Sequence, residues 1–337
     1  MKNCKAINPF IRLLLMCLAG GWLMLLSACE KPKYPPHEPP TLYTTISSDG
    51  KLVATLDRIG TEKPRLRIKW IDKSEPWQEL PVPMFTDSIR FGLKGYGLLM
   101  THSLPNELTV SQLTRWDVSD LSKESETIYQ GPYLAFPIEA RLGEILVRTC
   151  ESSGNYDHES CRRGIGVFWV LLKAGKDLIR LTPKGKLLAF GQPNVTDKGF
   201  FWIQSIPFSP KSQPPELLAY ALPGGDTPSF EVTRLGRGES VECDRAIQRC
   251  LRIFVAGKHP IDSPYFGQFI YTVEIFNGPQ TCQVEGVSGY FDERSVTPDG
   301  RAAVMSLAPA YDQPRHVVVM RFKPGQCEPI SIQHLNF

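Results

Sequence analysis

The sequence is organised around a repeated turn. Residues 46–55 read Ile-Ser-Ser-Asp-Gly-Lys-Leu-Val-Ala-Thr, and residues 296–305 read Val-Thr-Pro-Asp-Gly-Arg-Ala-Ala-Val-Met. Each copy has an apolar residue, a hydroxyl residue, one variable residue, Asp-Gly, a basic residue and then an apolar run. In such a turn glycine supplies a positive φ and aspartate hydrogen-bonds the turn backbone. The repeat predicts that the chain returns to one hairpin geometry at intervals, as repeat folds do.

Weaker copies of the turn set the period. Val195–Ile203 is a degraded copy and Phe91–Leu99 is a fainter one. Leu-Ala-Phe occurs at 134–136 and again at 188–190, each time shortly before a glycine and a strand. Glu242–Ile253 stands where another copy is expected, without the glycine. The anchors are then 50, 95, 143, 199, about 246 and 300, so the intervals in the forties and fifties suit four-stranded blades.

Between the turns the chain is a series of short apolar runs rich in β-branched and aromatic residues, and long amphipathic helical patterns are missing from the sequence. This pattern is typical of an all-β domain. The runs are Leu52–Leu56, Gly97–Met100, Ile145–Val147, Val167–Leu172, Phe200–Ile203, Leu251–Val255, Phe269–Ile275 and His316–Phe322.

With these repeats the chain resembles periplasmic WD-like β-propellers of the TolB type, over most of residues 41–337. The resemblance implies an all-β propeller with six blades. Leu181–Leu188 also fits the motif but is out of phase, which leaves seven blades open. Trp70-Ile71-Asp72 and Trp116-Asp117 only approximate the Trp-Asp ending of a blade. A pair of β-sandwiches with ordinary hairpin turns is the alternative. We also expect the first and last strands to meet in one blade.

The first 28 residues have the form of a secretory signal peptide. Residues 1–12 carry three basic side chains and no acidic one, and an apolar run follows from Leu13 to Leu26. Leu26-Ser27-Ala28-Cys29 resembles the bacterial lipobox at every position. The resemblance implies a lipoprotein, with diacylglycerol on the Cys29 thiol, cleavage before Cys29 and a further acyl chain such as palmitate. An uncleaved signal anchor is the alternative.

Residues 29–40 follow as a lipidated tether to the propeller domain at 41–337. Residues 31–40 are rich in proline, which favours extended polyproline structure and a semi-rigid spacer. Glu30 occupies the position at which an aspartate favours retention in the inner membrane in enteric lipoproteins. We therefore expect the protein to be anchored in the outer membrane and to face the periplasm. Without the signal the chain has 35 basic and 35 acidic residues, and this balance argues against nucleic-acid binding.

The cysteines indicate an oxidising compartment. Six of the nine remain once Cys4, Cys17 and Cys29 are set aside, and an even number in an exported chain predicts disulfides. Six cysteines allow 15 pairings. Closeness in sequence favours two hairpin staples, which leaves the last two cysteines to each other; reduced, buried cysteines are the alternative. The predicted pairs are Cys150–Cys161, Cys243–Cys250 and Cys282–Cys327.

Motifs for chemistry are missing from the sequence. It contains no G-x-S-x-G elbow, no P-loop lysine and no complete dinucleotide fingerprint. The six histidines have no zinc-site spacing, so we predict no metal and no cofactor. The loop around Tyr265 and Phe266 is a candidate partner contact because aromatic residues are enriched at interfaces.

These observations favour a binding protein over an enzyme. The predicted function is a lipid-anchored periplasmic scaffold or adaptor, held to the membrane through Cys29, that binds another envelope protein or peptide through a propeller face. The alternative is a propeller enzyme, a hydrolase or lyase acting on envelope glycans or peptides. Catalytic residues of propellers come from loops of several blades, and such a dispersed site leaves no motif. Carboxylates and histidine at the channel mouth would favour the enzyme, and a mixed or apolar mouth the adaptor.

Overall fold

A computed structural model describes most of the chain after residue 41, and the regular structure it describes is entirely β. No helix in this described part is long and apolar enough to cross a membrane. The described residues belong to one compact body, Pro39–Phe337. They are 42–57, 61–150, 167–173, 176–182, 193–205, 216–226, 233–234, 239–310 and 313–337.

The strands fall into antiparallel groups of four that follow one another along the chain. Blade 1 consists of β1 Tyr43–Ile46, β2 Leu52–Asp57, β3 Arg65–Trp70 and β4 Gln78–Leu80. Blade 2 consists of β5 Thr86–Phe91, β6 Gly97–Leu104, β7 Glu107–Asp117 and β8 Glu126–Pro132. Blade 3 consists of β9 Leu134–Arg141, β10 Glu144–Cys150, β11 Val167–Lys173 and β12 Lys176–Arg180.

The remaining strands form blades 4 to 6, and the 17-residue strand β20 belongs to two of them. Its first part pairs with β19 and its last part with β21. Blade 4 consists of β13 Asn194–Val195, β14 Phe200–Ser205, β15 Glu216–Ala221 and β16 Thr233–Arg234. Blade 5 consists of β17 Ser240–Cys243, β18 Arg249–Lys258, β19 Phe269–Asn277 and the first part of β20 Gln280–Val296. Blade 6 consists of the last part of β20 with β21 Ala302–Ala308, β22 His316–Arg321 and β23 Ser331–Leu335.

The described strands therefore supply six groups of four, the number predicted from the repeat. Most of the out-of-phase copy at Leu181–Leu188 lies outside the described residues. All eight predicted apolar runs fall on strands, with only Phe322 extending one residue beyond β22.

The repeated turn joins the first and second strands of each blade. In blade 1 the Asp49 carboxylate accepts hydrogen bonds from the Ser47 hydroxyl and the Lys51 amide, at 2.7 and 3.1 Å. In blade 6 Asp299 accepts the same two bonds from Thr297 and Arg301, at 2.8 and 3.0 Å. The predicted anchors all have positive φ: Gly50, Gly95, Gly143, Gly199 and Gly300, with Ile247 in the fifth place.

Blade 5 makes the same turn with different residues. Ile247 has φ 58° in the place of glycine, and Asp244 replaces the hydroxyl residue. The Asp244 carboxylate accepts bonds from the amides of Gln248 and Arg249, at 2.9 and 3.0 Å. Those bonds offset part of the strain that a side chain suffers at positive φ. The neighbouring turn needs its glycine, because a Cβ on Gly300 would stand 2.5 Å from the Asp244 carboxylate.

Neighbouring blades share apolar cores. Six buried clusters lie between blades 1 and 2, 2 and 3, 3 and 4, 4 and 5, 5 and 6, and 6 and 1. The last cluster brings Val53 and Ile71 of blade 1 against Val304 and Val317 of blade 6. Each blade thus has two neighbours, and the blades form a closed ring.

The ring does not close in the predicted way. We expected the first and last strands to share a blade, and this is wrong: among the described strands, β1 pairs with β2 alone and β23 with β22 alone. Side chains join the two blades instead. The Trp77 indole donates a hydrogen bond to the Asn336 carbonyl at 2.8 Å, and its ring lies 4.9 Å from that of Phe337. Apolar packing replaces the hydrogen bonds of a shared sheet.

Two of the three predicted disulfides are present among the described residues. Cys243 and Cys250 face each other across the β17–β18 hairpin, as the prediction of a hairpin staple requires. Cys282 on β20 is bonded to Cys327 in the β22–β23 loop, so this bridge ties blade 5 to blade 6. The predicted pair Cys150–Cys161 includes Cys161, which lies outside the described part of the chain, and the predicted lipid-attachment residue Cys29 also lies outside it.

Candidate functional site

The first strands of neighbouring blades contact one another around a central channel. At the end of the ring that carries the repeated turns, which we call the turn face, residues of all six blades line a cavity of about 40 Å³. A volume of this size has room for a few water molecules. Ligand pockets for small molecules are typically about 300–1,000 Å³. This cavity is therefore too small for such a ligand.

A buried ion pair crosses the channel. The Arg90 guanidinium on β5 donates to the Glu242 carboxylate on β17 at 2.7 Å, and the two side chains are 10% and 7% exposed. Their blades, 2 and 5, are opposite one another in a ring of six. This pair holds two sides of the ring together through its centre.

Glu139 on β9 connects blades 2 and 3 beside this pair. Its buried carboxylate accepts bonds from the Arg115 guanidinium at 2.7 Å, the Leu93 amide at 2.8 Å and the Gly143 amide at 3.3 Å. The Arg245 guanidinium reaches across from blade 5 and donates to the Ala140 carbonyl at 2.8 Å. The charges at this mouth are thus engaged in holding blades together.

Glu293 and Arg294, on the blade 6 part of β20, also lie at the channel. Loss of solvation raises the pKa of Glu293 to about 7. Arg294 lowers this pKa, Glu242 and Asp292 raise it further, and Arg90 opposes them. Glu293 therefore changes charge near neutral pH.

Glu293→Gln should remove a pH dependence of stability. The pKa of Glu293 is raised in the folded protein from an ordinary value of 4.5, so the folded state binds more protons than the unfolded state between about pH 4.5 and 7. Wild-type stability should fall as pH rises through this window. The variant should lose that fall and gain up to about 3 kcal/mol above pH 7. Urea unfolding at pH 5 and pH 8 measures it.

The exposed Glu285, on the same strand, provides the control. Glu285→Gln should leave the wild-type pH dependence intact. An unchanged slope in Glu293→Gln would show that Glu293 does not titrate in this window.

The opposite end of the ring, which we call the tether face, is where the chain enters β1. There the Leu42 amide donates to Asp292 at 3.4 Å, and Asp292 accepts a bond from the Arg315 guanidinium at 2.7 Å. Arg315 in turn lies over the Tyr290 ring, 5.2 Å from its centre. A second link between blades 1 and 6 thus holds the start of β1 at this end of the ring.

The predicted contact residues Tyr265 and Phe266 lie on the tether face, in the loop between β18 and β19. Phe266 is 63% exposed, and Ile261 and Phe269 beside it in sequence are 82% and 48% exposed. Tyr265 is half-buried, with its ring 5.3 Å from that of His259. Phe266 is accessible to a partner, and Tyr265 shapes the loop that presents it.

The turn face carries a groove between blades 6 and 1. Its volume is about 420 Å³, and its lining includes Asp49, Arg301, Arg321 and Ile330. Arg321 is ion-paired with Asp72 at 2.7 Å, and the Ile330 side chain is 53% exposed. Charged and apolar groups therefore alternate along an open surface.

Sequence reasoning did not find the channel residues. Arg90, Glu139, Glu242 and Glu293 stand in no recognisable motif. A charged residue between apolar neighbours on the first strands of blades 2, 3 and 5 is a signal that could have suggested the first three. No histidine lines the cavity at the turn face. Within the described ranges, no group of three or more histidine, cysteine or acidic residues is placed to hold a metal ion.

The arrangement was compared with known proteins. No protein-family profile matches the sequence, and no curated protein matches it. Among solved structures, TolB from Acinetobacter baumannii is 13% identical, with a TM-score of 0.55 over 85% of this chain and 67% of that one. A protein described as TolB from Agrobacterium tumefaciens is 9% identical, with a TM-score of 0.50 over 85% and 91%.

The fold is a TolB-like β-propeller. At these identities the likeness concerns the fold alone, and it confirms the all-β propeller predicted from the repeated turn. The mouth described above is mixed, with arginine, glutamate, asparagine and apolar side chains. Among these groups, Arg90 is ion-paired with Glu242 of blade 5, and the Asn194 side chain accepts a hydrogen bond from the Cys243 amide.

Proposed function

We propose that this chain is a lipid-anchored adaptor of the bacterial envelope that binds another protein or peptide through the turn face of its propeller. The observation that carries this proposal is the ion pair Arg90–Glu242, which crosses the channel at 2.7 Å. A propeller enzyme needs access for its substrate to groups in or beside the channel. Here Arg90 and Glu242 are buried and bonded to each other, which favours binding on an outer face.

The two faces of the ring have different roles in this proposal. The tether leaves from the tether face at Leu42, so lipid on Cys29 would place that face toward the membrane. The turn face is then directed away, and its groove at Arg301, Arg321 and Ile330 is open. A surface that combines charged and apolar groups is suited to binding another protein.

Anchoring is proposed to occur through Cys29, with the outer membrane as its site because Glu30 follows. Metabolic labelling with a palmitate analogue should mark the wild-type protein and not Cys29→Ala. The reason is that the thiol is the acceptor of the lipid in the lipobox that the sequence resembles. Cys4→Ala is the matched control, since it changes a cysteine within the signal and should keep the label. Equal labelling of Cys29→Ala and wild type would refute the anchor.

The partner contact is tested by photocrosslinking in cells. Benzoylphenylalanine at Ile330, in the groove, should give one dominant protein adduct. The control is Leu178, an apolar residue 37% exposed on the outer strand β12 of blade 3, and it should not give that adduct. Arg301→Glu should reduce the adduct from Ile330 because it reverses a charge in the groove.

Two results would contradict the adaptor. One is an identical set of adducts from Ile330 and Leu178, which would mean that the groove has no specific partner. The other is turnover of a peptidoglycan or peptide substrate by the purified protein, lost in Glu293→Gln. That result would favour the enzyme, because a carboxyl group with a pKa of about 7 is suited to general acid–base catalysis.

A further inference from the structure

The loop between β18 and β19 exposes an unusual concentration of apolar side chains. Ile261, Phe266 and Phe269 are 82%, 63% and 48% exposed, and all three lie within nine residues of the chain. Single exposed apolar residues are ordinary on a protein surface, but a cluster of large ones marks an interaction site.

The loop is held in one conformation. The His259 ring nitrogen Nε2 lies 3.2 Å from the Pro309 carbonyl of the neighbouring blade, and its ring packs edge-on against Tyr265. The Phe266 amide donates to the Ser263 carbonyl at 3.1 Å, and Gly267 completes the turn with φ 82°. Because the loop is held in place, its apolar side chains stay exposed to water, which is unfavourable. Burial of these side chains against a binding partner would offset that cost.

The loop lies on the face from which the tether departs. Its contact Pro309 begins the β21–β22 loop, and Arg315 ends that loop. Arg315 is ion-paired with Asp292, which accepts the Leu42 amide. This series of contacts joins the apolar loop to the first described residue of the chain at one end of the ring.

The tether limits how far this face can be from the membrane. In the proposed function lipid is attached at Cys29, thirteen residues before Leu42. Extended polyproline structure rises about 3.1 Å per residue, so the tether face stays within about 40 Å of the lipid surface.

The chemistry of the loop matches a lipid interface. Aromatic side chains occupy the headgroup region of membranes, aliphatic ones reach the acyl chains, and lysine extends its amine toward water and phosphate. The Lys258 amine lies over the Phe269 ring, 5.0 Å from its centre, beside the exposed Ile261 and Phe266. A protein partner for the loop would also bury these residues. The lipid anchor of the proposed function favours the bilayer instead, because the loop lies on the face from which the chain continues toward Cys29.

We propose that the tip of the β18–β19 hairpin inserts Ile261, Phe266 and Phe269 into the surface of the bilayer that anchors the protein. The inference rests on the lipid anchor of the proposed function. It goes further by assigning the tether face to lipid and fixing the orientation of the ring, so that the turn face and its groove are presented to the periplasm.

The test uses the full lipidated protein on vesicles of phosphatidylethanolamine and phosphatidylglycerol with brominated acyl chains. Tryptophan is introduced by Phe266→Trp or, as a matched control, by Leu142→Trp. Leu142 is 62% exposed and lies in the β9–β10 turn on the turn face. Emission above that of the parent protein should be quenched at position 266 and unaffected at position 142.

Flotation of the vesicles separates the two ways of failing. If the protein floats and Phe266→Trp is not quenched, the anchor stands and the bilayer contact is wrong. If the protein does not float, the anchor of the proposed function is wrong, and the bilayer contact fails with it. Benzoylphenylalanine at position 266 in cells gives a second readout: lipid adducts support the contact, and protein adducts alone overturn it.

Discussion

Removal of residues 331–337 should lower the melting temperature of the whole domain by about 10 °C or more, which corresponds to about 5 kcal/mol. The truncation deletes β23, which pairs with β22 along its whole length. It also removes Leu335 from the core between blades 6 and 1, and it leaves the Trp77 indole without the Asn336 carbonyl. Because side-chain packing is what closes this ring, the loss should reach every blade.

Differential scanning calorimetry measures this effect. The transition should stay single and move to lower temperature. Ile330→Ala is the control, because Ile330 lies just before the deleted segment and is 53% exposed, so its truncation should leave the transition nearly in place. A truncated protein that melts like wild type would show that the ring does not depend on its last strand.

Arg90→Ala should destabilise the fold by about 3–5 kcal/mol, because it leaves the Glu242 carboxylate buried without its partner. The Glu242 side chain is 7% exposed, so little water can replace the lost guanidinium. Chemical denaturation at pH 7 measures the free energy of unfolding. Lys123→Ala, which removes an ion pair whose side chains are 64% and 41% exposed, should leave the free energy of unfolding nearly unchanged because solvent screens that pair.

A double variant distinguishes the contribution of the ion pair to stability from the contribution of side-chain packing. Arg90→Met with Glu242→Met replaces two buried charges with apolar groups, and such replacements are often neutral or stabilising. The double variant should therefore recover most of the stability lost in Arg90→Ala. An equal or larger loss in the double variant would mean that the pair contributes more than its burial costs. In either case the ring should still fold, because its six apolar clusters remain.

Much of the fold is local and could be predicted from sequence. Asp-Gly turns depend on the conformational freedom of glycine and on bonds within five residues, so the anchors at 50 and 300 were visible directly. The fifth turn was predicted near residue 246 although the sequence has no glycine there. Ile247 adopts φ 58° at this turn, and the Asp244 carboxylate accepts a hydrogen bond from the turn backbone, which offsets part of the strain that glycine would avoid. The staple Cys243–Cys250 follows the same logic, since a hairpin brings near neighbours into register.

Only the tertiary structure decided how the blades meet. Arg90 and Glu242 are 152 positions apart, and nothing in their local sequence indicates that they face each other across a channel. Closure of the ring through Trp77, Asn336 and Phe337 was not predicted either. The same strands can close a ring through a shared sheet or through packed side chains. The sequence by itself determined the turns, the strands and a cysteine staple through interactions between neighbours. The ring's closure, the Arg90–Glu242 pair across its channel and the exposure of Phe266 depend on how the twisted sheets of the blades pack against one another, which is a property of the whole chain.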